Sequence, residues 1–400
     1  EIRANVRRQC EGKKVFLLVS GGVDSTVAFA LLNETLGTDR VQGLHVDTGM
    51  MRYDECREIM QYMRQEDFEN LEIVDASEQF LAALDGVSEP EEKRRIIGNM
   101  FMTVREQAQQ KFELDTEHWL LGQGTIYPDT IESAGSEHAD RIKTHHNRVD
   151  VILELMAQGK LIEPLAQLYK DEVRELGEEL GLPRRLVWRH PFPGPGLGVR
   201  LLCADGRPND IDPELPQHVA ALAEEHGYRG WVLPVRSVGV QGDGRSYGYP
   251  AAVAGPLDWD RLEAVSSRIT NAVHGVNRVV YCMDDQCDPG VQQLTRGYVT
   301  RERLDRLRAL DHVATQTLYA TGEYDAIWQM PVVLLPLVNA DGEEAAVLRP
   351  MISQEAMTAR FARMSPRFLE LMARAARETD GIGALFFDIT HKPPGTIEWE

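Results

Sequence analysis

Ser20-Gly21-Gly22-Val23-Asp24-Ser25-Thr26 decides how this chain is read. Ahead of it, Val15-Phe16-Leu17-Leu18-Val19 is a short apolar run rich in β formers. Behind it, Val27-Ala28-Phe29-Ala30-Leu31-Leu32 reads as a buried helix. Strand, glycine turn and helix is the arrangement that holds a phosphate. Glycine lets the backbone approach an anion, and the N–H groups of the first helical turn point at it with the helix dipole behind them. Ser20, Ser25 and Thr26 add hydroxyl donors. Asp24 is the informative member: a carboxylate beside a phosphate is repulsive unless a cation lies between them, so it points to Mg²⁺. No Gly-Lys-Ser/Thr follows, which excludes a Walker A loop, and G-x-G-x-x-G is absent, which excludes the dinucleotide fingerprint. The bland alternative, a tight strand-to-helix turn without a ligand, fits a lone Gly-Gly better than it fits the whole stretch.

Outward from the loop, Val41 to Val46 reads as a second strand running into Asp47-Thr48-Gly49. In an open parallel sheet ligands sit at the carboxyl ends of strands, so this turn is expected beside the first loop, near the nucleoside half of a nucleotide. An ordinary Asp-Thr-Gly turn is the competing reading. Residues 54–66 carry an amphipathic helix, Leu71–Asp75 a third strand, and Ser77–Leu84 a capped helix. Pro90-Glu91-Glu92-Lys93-Arg94-Arg95 opens another helix, with its basic cluster read as a solvated face. Trp119 to Gly122 is a fourth strand entering Gln123-Gly124-Thr125. Ile142-Lys143-Thr144-His145-His146-Asn147 lacks periodicity. Its paired histidines find no third ligand for zinc, whereas Lys143 suits a phosphate, and the segment reads as a lid. Pro164 to Leu182 is expected to be helix. Pro193-Gly194-Pro195-Gly196 is a stiff connector and the best domain boundary.

The 400 residues, 43% of them apolar, suffice for two or three domains. No run approaches the roughly 18 apolar residues of a membrane span, and no signal peptide is visible. The chain opens on Glu1 rather than Met, which leaves room for a missing natural start. Cys10, Cys56, Cys203, Cys282 and Cys287 are odd in number and form no CxxC pair, so free thiols in a reducing cytoplasm are expected. A net charge of −20 argues against a broad nucleic-acid surface.

The loop resembles the pyrophosphate-binding loop of the ATP pyrophosphatase superfamily, whose members cleave ATP between the α- and β-phosphates and adenylate a carbonyl oxygen. The blocks SGGVDST, PEEKRRIIG, GQGTIYPDTIES, IKTHHN, RHPFPGPGLGVR, LPVRSVGVQGDGR and KPPGTIEWE together resemble GMP synthetases, in that family's order and over nearly the whole chain. The resemblance implies an α/β fold, a doubly wound parallel sheet over 1–204, followed over 205–400 by an α+β domain of the dimerisation type. It implies amination of xanthosine 5′-monophosphate (XMP) to GMP at the expense of ATP. The XMP oxygen attacks the α-phosphorus, pyrophosphate leaves, and ammonia then displaces AMP from the adenyl-XMP intermediate. By the same resemblance Ser20, Gly21, Gly22, Val23, Asp24, Ser25 and Thr26 hold pyrophosphate, with Asp24 on Mg²⁺ and Asp24 and Lys143 as the catalytic pair. Val46, Gln123 and Gly124 stand by the ATP. Arg94, Arg200, Gln329, Lys392, Thr396, Ile397 and Glu398 form the XMP site, where Arg and Lys suit a monophosphate and a carboxylate suits the N–H groups of xanthine.

Two departures from the family's common pattern stand out. A class I glutaminase usually precedes this module, and no Gly-x-Cys-x-Gly elbow occurs here. Either the glutaminase is a separate subunit or it has been cut away, and this chain alone is expected to use ammonia. The second departure is an apparent repeat over about 228–288 and 325–400. Leu233-Pro234-Val235 recurs as Met330-Pro331-Val332, Asp243-Gly244 as Asp341-Gly342, and the strand from Gly275 as that from Gly381, at spacings of 97, 98 and 106 residues. Compact bacterial members of the family dimerise through this unit, so two copies in one chain suggest internal pairing and a monomer or weak homodimer. Rival readings are an NAD synthetase-like amidating enzyme, a nucleotide-binding module without turnover, and a tRNA-thiolating enzyme. The last would need a nucleophilic cysteine near the loop and a basic face.

Overall fold

The computed structural model describes all residues except 66–67, 112–116, 131–159, 208–209, 242–243, 285–286, 288–291 and 354–357. It divides into two compact units. The first comprises Glu1–Glu78 and Met100–Gly194, the second Gln79–Asn99 and Pro195–Glu400. The division falls inside the Pro-Gly connector, so the expected boundary after residue 204 lies ten residues into the second unit, and Gln79–Asn99 belongs with that unit as well.

The first unit is built on five parallel strands: β1 (Lys14–Leu18), β2 (Val41–Asp47), β3 (Leu71–Asp75), β4 (Trp119–Gly122) and β5 (Leu161–Ile162), in the order β3-β2-β1-β4-β5. Val15 pairs with both Val41 and Leu120, which places β1 at the centre. Its residues Val15, Phe16 and Leu17 are buried, as a strand covered on both faces requires. α1 (Ile2–Gln9) precedes β1; α2 (Val23–Leu36) lies between β1 and β2, α3 (Glu55–Gln65) between β2 and β3, and α4 (Ser77–Ala83) and α5 (Pro90–Lys111) between β3 and β4. α6 (Lys170–Glu179) and α7 (Arg184–Val187) follow β5. The helix expected over Pro164–Leu182 is shorter than the sequence suggested. Leu161-Ile162 is a fifth strand, and α6 starts only at Lys170, where the Tyr169 N–H donates to the Glu172 carboxylate at 2.8 Å. Pro164 and the turn up to Leu168 keep the preceding residues out of the helix.

The second unit centres on a mixed sheet. Its strands are β7 (Arg229–Val232), β8 (Ser237–Gln241), β9 (Gly244–Ala254), β10 (Val276–Cys282), β11 (Gln293–Leu294), β13 (Val332–Val338), β14 (Glu344–Leu348) and β17 (Ile382–Asp388). The order is β11-β13-β14-β17-β10-β9-β7, with β8 on β9. β6 (Ala204–Asp205) pairs with β12 (Arg296–Gly297), and β15 (Met351–Ile352) with β16 (Arg360–Phe361). The helices are α8 (Glu214–Glu225), α9 (Trp259–Ala272), α10 (Arg301–Thr321) and α11 (Pro366–Glu378). Asp258, Thr300 and Ser365 cap α9, α10 and α11 by accepting from the N–H three residues on.

Each half of this sheet follows the same order: helix, hairpin, crossover helix, strand parallel to the hairpin's second member. β9 leads through α9 to parallel β10, and β14 leads through α11 to parallel β17. Both parallel pairings slip by one residue near their start, around Asn277 and Gly383, which stand 106 residues apart. The halves meet where β10 and β17 run antiparallel, Val280 opposite Asp388 and Cys282 opposite Phe386.

Candidate active site

In the first unit the chain turns from β1 into α2 through Val19–Gly22. Gly21 takes φ +80°, and a Cβ there would stand 2.9 Å from the Ile59 side chain, so the turn requires glycine. Gly22 is the N-cap of α2. The N–H groups of Val23, Asp24 and Ser25 therefore precede the first intrahelical bond, which runs from Thr26 N to Gly22 O at 3.1 Å. The hydroxyls shape the loop. Ser20 Oγ accepts from Gly22 N at 3.2 Å and lies 3.0 Å from Ser25 Oγ, while Ser25 and Thr26 donate to Gly22 O at 3.1 and 2.8 Å.

β1 and β4 are the neighbours at which the chain's winding direction reverses, and the crevice at their carboxyl ends is where such sheets take ligands. Gln123 and Gly124 leave β4 there. A Cβ on Gly124 would come within 2.8 Å of Ser25 N and 2.9 Å of Ser25 Cα, so only glycine allows this strand end to lie on the first turn of α2. On the other flank Val46 is buried in β2, and the Asp47 carboxylate accepts from Gly49 N at 2.8 Å to close the Asp-Thr-Gly turn. The loop, Val46, Gln123 and Gly124 are thus brought to one edge of one sheet. Lys143 lies outside the described residues.

The Asp24 carboxylate has a partner that the sequence did not reveal. Lys170 Nζ, in the first turn of α6, donates to its two oxygens at 2.7 and 2.6 Å. Nothing in a lone lysine 146 positions along the chain signals that contact. Among the described residues no three His, Cys, Asp or Glu side chains gather as a metal cluster. One carboxylate beside an anion cradle matches the mode in which Mg²⁺ takes one or two protein oxygens and completes its shell with phosphate and water.

The candidate XMP residues all belong to the second unit. Arg200 is buried and grips Glu398 in a two-pronged pair, Nε to Oε2 at 3.1 Å and Nη2 to Oε1 at 2.9 Å. Burial presses the Arg200 guanidinium towards neutrality, and the Glu398 carboxylate outweighs it, so its pKa is raised. Thr396 Oγ1 receives Arg278 Nη2 at 2.6 Å, and Ile397 O receives Arg349 Nε at 3.1 Å. Lys392 exchanges two main-chain hydrogen bonds with Ala359, while buried Gln329 bridges Met351, so both flank the β15–β16 hairpin. Burial first, and Arg349 next, push the Lys392 ammonium below its usual pKa. Arg94 pairs with Glu91 at 2.9 Å on its own helix.

Its neighbour Lys93, read from sequence as part of a solvated face, is fully buried instead. Its Nζ donates to Leu201 O at 2.8 Å and pairs with the buried Glu400 carboxylate. A cavity of about 400 Å³ opens beside that pair, lined by Glu91, Cys203, Arg236, Tyr247 and Glu400 among others, and none of the candidate XMP residues lines it.

The family models matching this chain are the NAD synthase model over residues 1–128 and the GMP synthase C terminal domain model over 226–289 and 316–399. A relative from Leptospira interrogans, named "Probable GMP synthase (glutamine-hydrolyzing)", is 45% identical over 405 residues, covering 100% of this chain and 66% of its own length. A GMP synthase from Dictyostelium discoideum is 33% identical, with 97% of this chain and 63% of the relative covered. One from Nitrosomonas eutropha is 44% identical over 70% of this chain and 57% of its own length. The chain thus spans somewhat less than two-thirds of the length of these curated relatives. With an NAD synthase-type nucleotide domain followed by the GMP synthase C-terminal domain, the chain belongs to the GMP synthase family over that part of the family's length.

Proposed function

We propose that this chain catalyses the ATP-dependent amination of XMP to GMP, a carbon–nitrogen ligation of guanine nucleotide synthesis. The observation that carries the proposal is the joining of two features in one chain. One is an anion cradle at the switch point of a parallel sheet, closed by Gly124 against Ser25. The other is a GMP synthase C-terminal domain whose tail gathers Lys392, Thr396, Ile397 and Glu398.

In this reading the N–H groups of Val23, Asp24 and Ser25 and the hydroxyls of Ser20, Ser25 and Thr26 hold the β- and γ-phosphates of ATP. Asp24 would hold Mg²⁺, which when bound neutralises charge developing on the departing pyrophosphate. Lys170 balances the Asp24 carboxylate and is placed to turn to a phosphate oxygen. Val46, Gln123 and Gly124 bound the nucleoside side, and Lys143 serves the phosphates. Arg94, Arg200, Gln329, Lys392 and the tail residues Thr396, Ile397 and Glu398 take XMP. The xanthine oxygen at C2 forms a bond to the α-phosphorus as the bond to the pyrophosphate oxygen breaks. Ammonia then bonds to C2, AMP leaves with that oxygen, and the ammonium-derived proton passes to a base. Converting a poor leaving oxygen into a phosphoester accounts for the use of ATP. The hydrolysable intermediate accounts for a need to exclude water.

Ammonia comes from a glutaminase outside these 400 residues, and nucleic acid and membrane are not partners in this reading. Among the described residues no helix is long and apolar enough to cross a membrane. Five free cysteines support a reducing compartment, the cytoplasm.

The test is GMP formation from XMP, ATP and Mg²⁺, with ammonium and with glutamine in parallel. Turnover with ammonium and none with glutamine is expected. Absence of XMP binding in calorimetry would overturn the proposal.

A further inference from the structure

Beneath the C-terminal stretch lies a cluster of buried charge that the chemistry above does not use. Arg278 in β10, Arg349 just past β14 and Asp388 at the end of β17 are each 0% exposed. Asp388 Oδ2 accepts from Arg349 Nη1 at 2.6 Å, from Arg278 Nη1 at 3.1 Å and from the Trp399 indole N–H at 3.0 Å. Its Oδ1 accepts from Thr390 N at 2.9 Å. The guanidiniums turn their other donors to the tail. Arg278 Nη2 donates to Glu398 O and Val238 O, both at 2.9 Å, and to Thr396 Oγ1. Arg349 donates to Ile397 O at 3.1 Å through Nε and to Thr390 O at 3.2 Å through Nη1. Main-chain bonds from Val238 N to Trp399 O and from Val240 N to Pro394 O, each 2.8 Å, complete the hold.

Two guanidiniums against one carboxylate form a poor device for stability, since well-packed apolar side chains of similar volume commonly do as well or better. The cluster even leaves Arg278 Nε and Arg349 Nη2 without an acceptor among the described residues, a cost that native cores usually avoid. An apolar core, however, cannot grip a carbonyl. A planar guanidinium can, and here Arg349 takes the carbonyl of Ile397 and Arg278 that of Glu398, fixing the main chain that carries the Glu398 carboxylate to Arg200.

We propose that Arg349 and Arg278, joined through Asp388, are positioning residues of the XMP site: they set the tail's main chain so that Lys392 and Glu398 meet the nucleotide already aligned. The proposal rests on the functional reading above. Its test is Arg349→Lys, which keeps the charge and loses the fork. The KM for XMP should rise about tenfold, the loss expected for a charged hydrogen bond. The KM for ATP, whose cradle lies in the first unit, should stay unchanged. Amide exchange read by mass spectrometry should speed up over residues 391–400 and remain as in the wild type over β10 and β17. Trp399→Phe, which removes the indole donor to Asp388 and trims the buried ring beside Arg278, should shift the same two readouts in the same direction by a smaller factor, and it decides the matter if Arg349→Lys does not fold. Unchanged tail exchange in the variants, or an equal rise in KM for both nucleotides, overturns the proposal. If the wild type does not turn over XMP, the functional reading fails, while tail exchange in the ligand-free proteins still judges the clamp.

Discussion

A methyl group added at Gly124 would meet the Ser25 nitrogen at 2.8 Å, and the contact is with backbone, which cannot swing aside. Gly124→Ala should therefore cost about 1–3 kcal/mol as an overpacked site and spread the first turn of α2 away from the strand end. The KM for ATP should rise by at least about tenfold, while circular dichroism keeps its native form. A variant with unaltered ATP kinetics would show that the close approach does not serve the phosphates. At this scale the sequence was legible where glycines punctuate a strand–helix junction, since their spacing has few other uses. It was silent on Lys170, whose contact to Asp24 depends on where α6 begins. It was silent too on Arg278 and Arg349, single charges in or beside apolar strands, whose burial shows only when their shared carboxylate on a third strand is in place.

At the scale of elements, periodicity and caps placed most of the first unit correctly but missed β5. A two-residue strand carries no period of its own and exists because β4 offers it an edge. The tail shows the opposite case: a polar segment rich in proline and glycine would ordinarily fray, and only its likeness to a family marked KPPGTIEWE as ordered. A separate surface network ties that segment to α9. Glu263 receives Arg363 and Arg360 at 2.7 Å each and lies 2.9 Å from His391 Nε2. Hydrogen bonding by Arg363, against the opposing effect of burial and with help from His391 and Arg360, lowers the Glu263 carboxyl to about 2 from 4.5. A carboxyl with a depressed folded-state pKa stabilises fully above its unfolded value and loses that contribution as pH falls through the folded one. Glu263→Gln should thus lower the melting temperature by about 2 °C at neutral pH, as a partly exposed network allows. The gap to wild type should narrow below pH 4.5 and close near pH 2. Melting curves of both proteins across that range check it, and a gap that widens on acidification would refute the assignment.

At the scale of the whole molecule, the central sheet of the second unit brings two like halves edge to edge at β10 and β17. An edge already satisfied within the chain has no need of a second copy, so sedimentation at submicromolar concentration should report the monomer mass of 45.0 kDa. A tight dimer would refute that expectation. The like order of elements in the two halves is what the spaced turn residues and strand starts in the sequence lead one to expect. The antiparallel seam was not legible there, because register between distant strands leaves no mark in either. The burial of Lys93 sets a timetable for synthesis. Its ammonium needs Leu201 O and the Glu400 carboxylate, the latter about 300 residues downstream. At about 5–20 residues per second the ribosome delivers that partner roughly 15–60 s after Lys93 itself. Throughout that interval the start of α5 waits with a solvated lysine, so a nascent chain that has not yet reached Glu400 exposes a surface that the folded chain buries, and a chaperone or protease could read that exposed lysine before its carboxylate arrives.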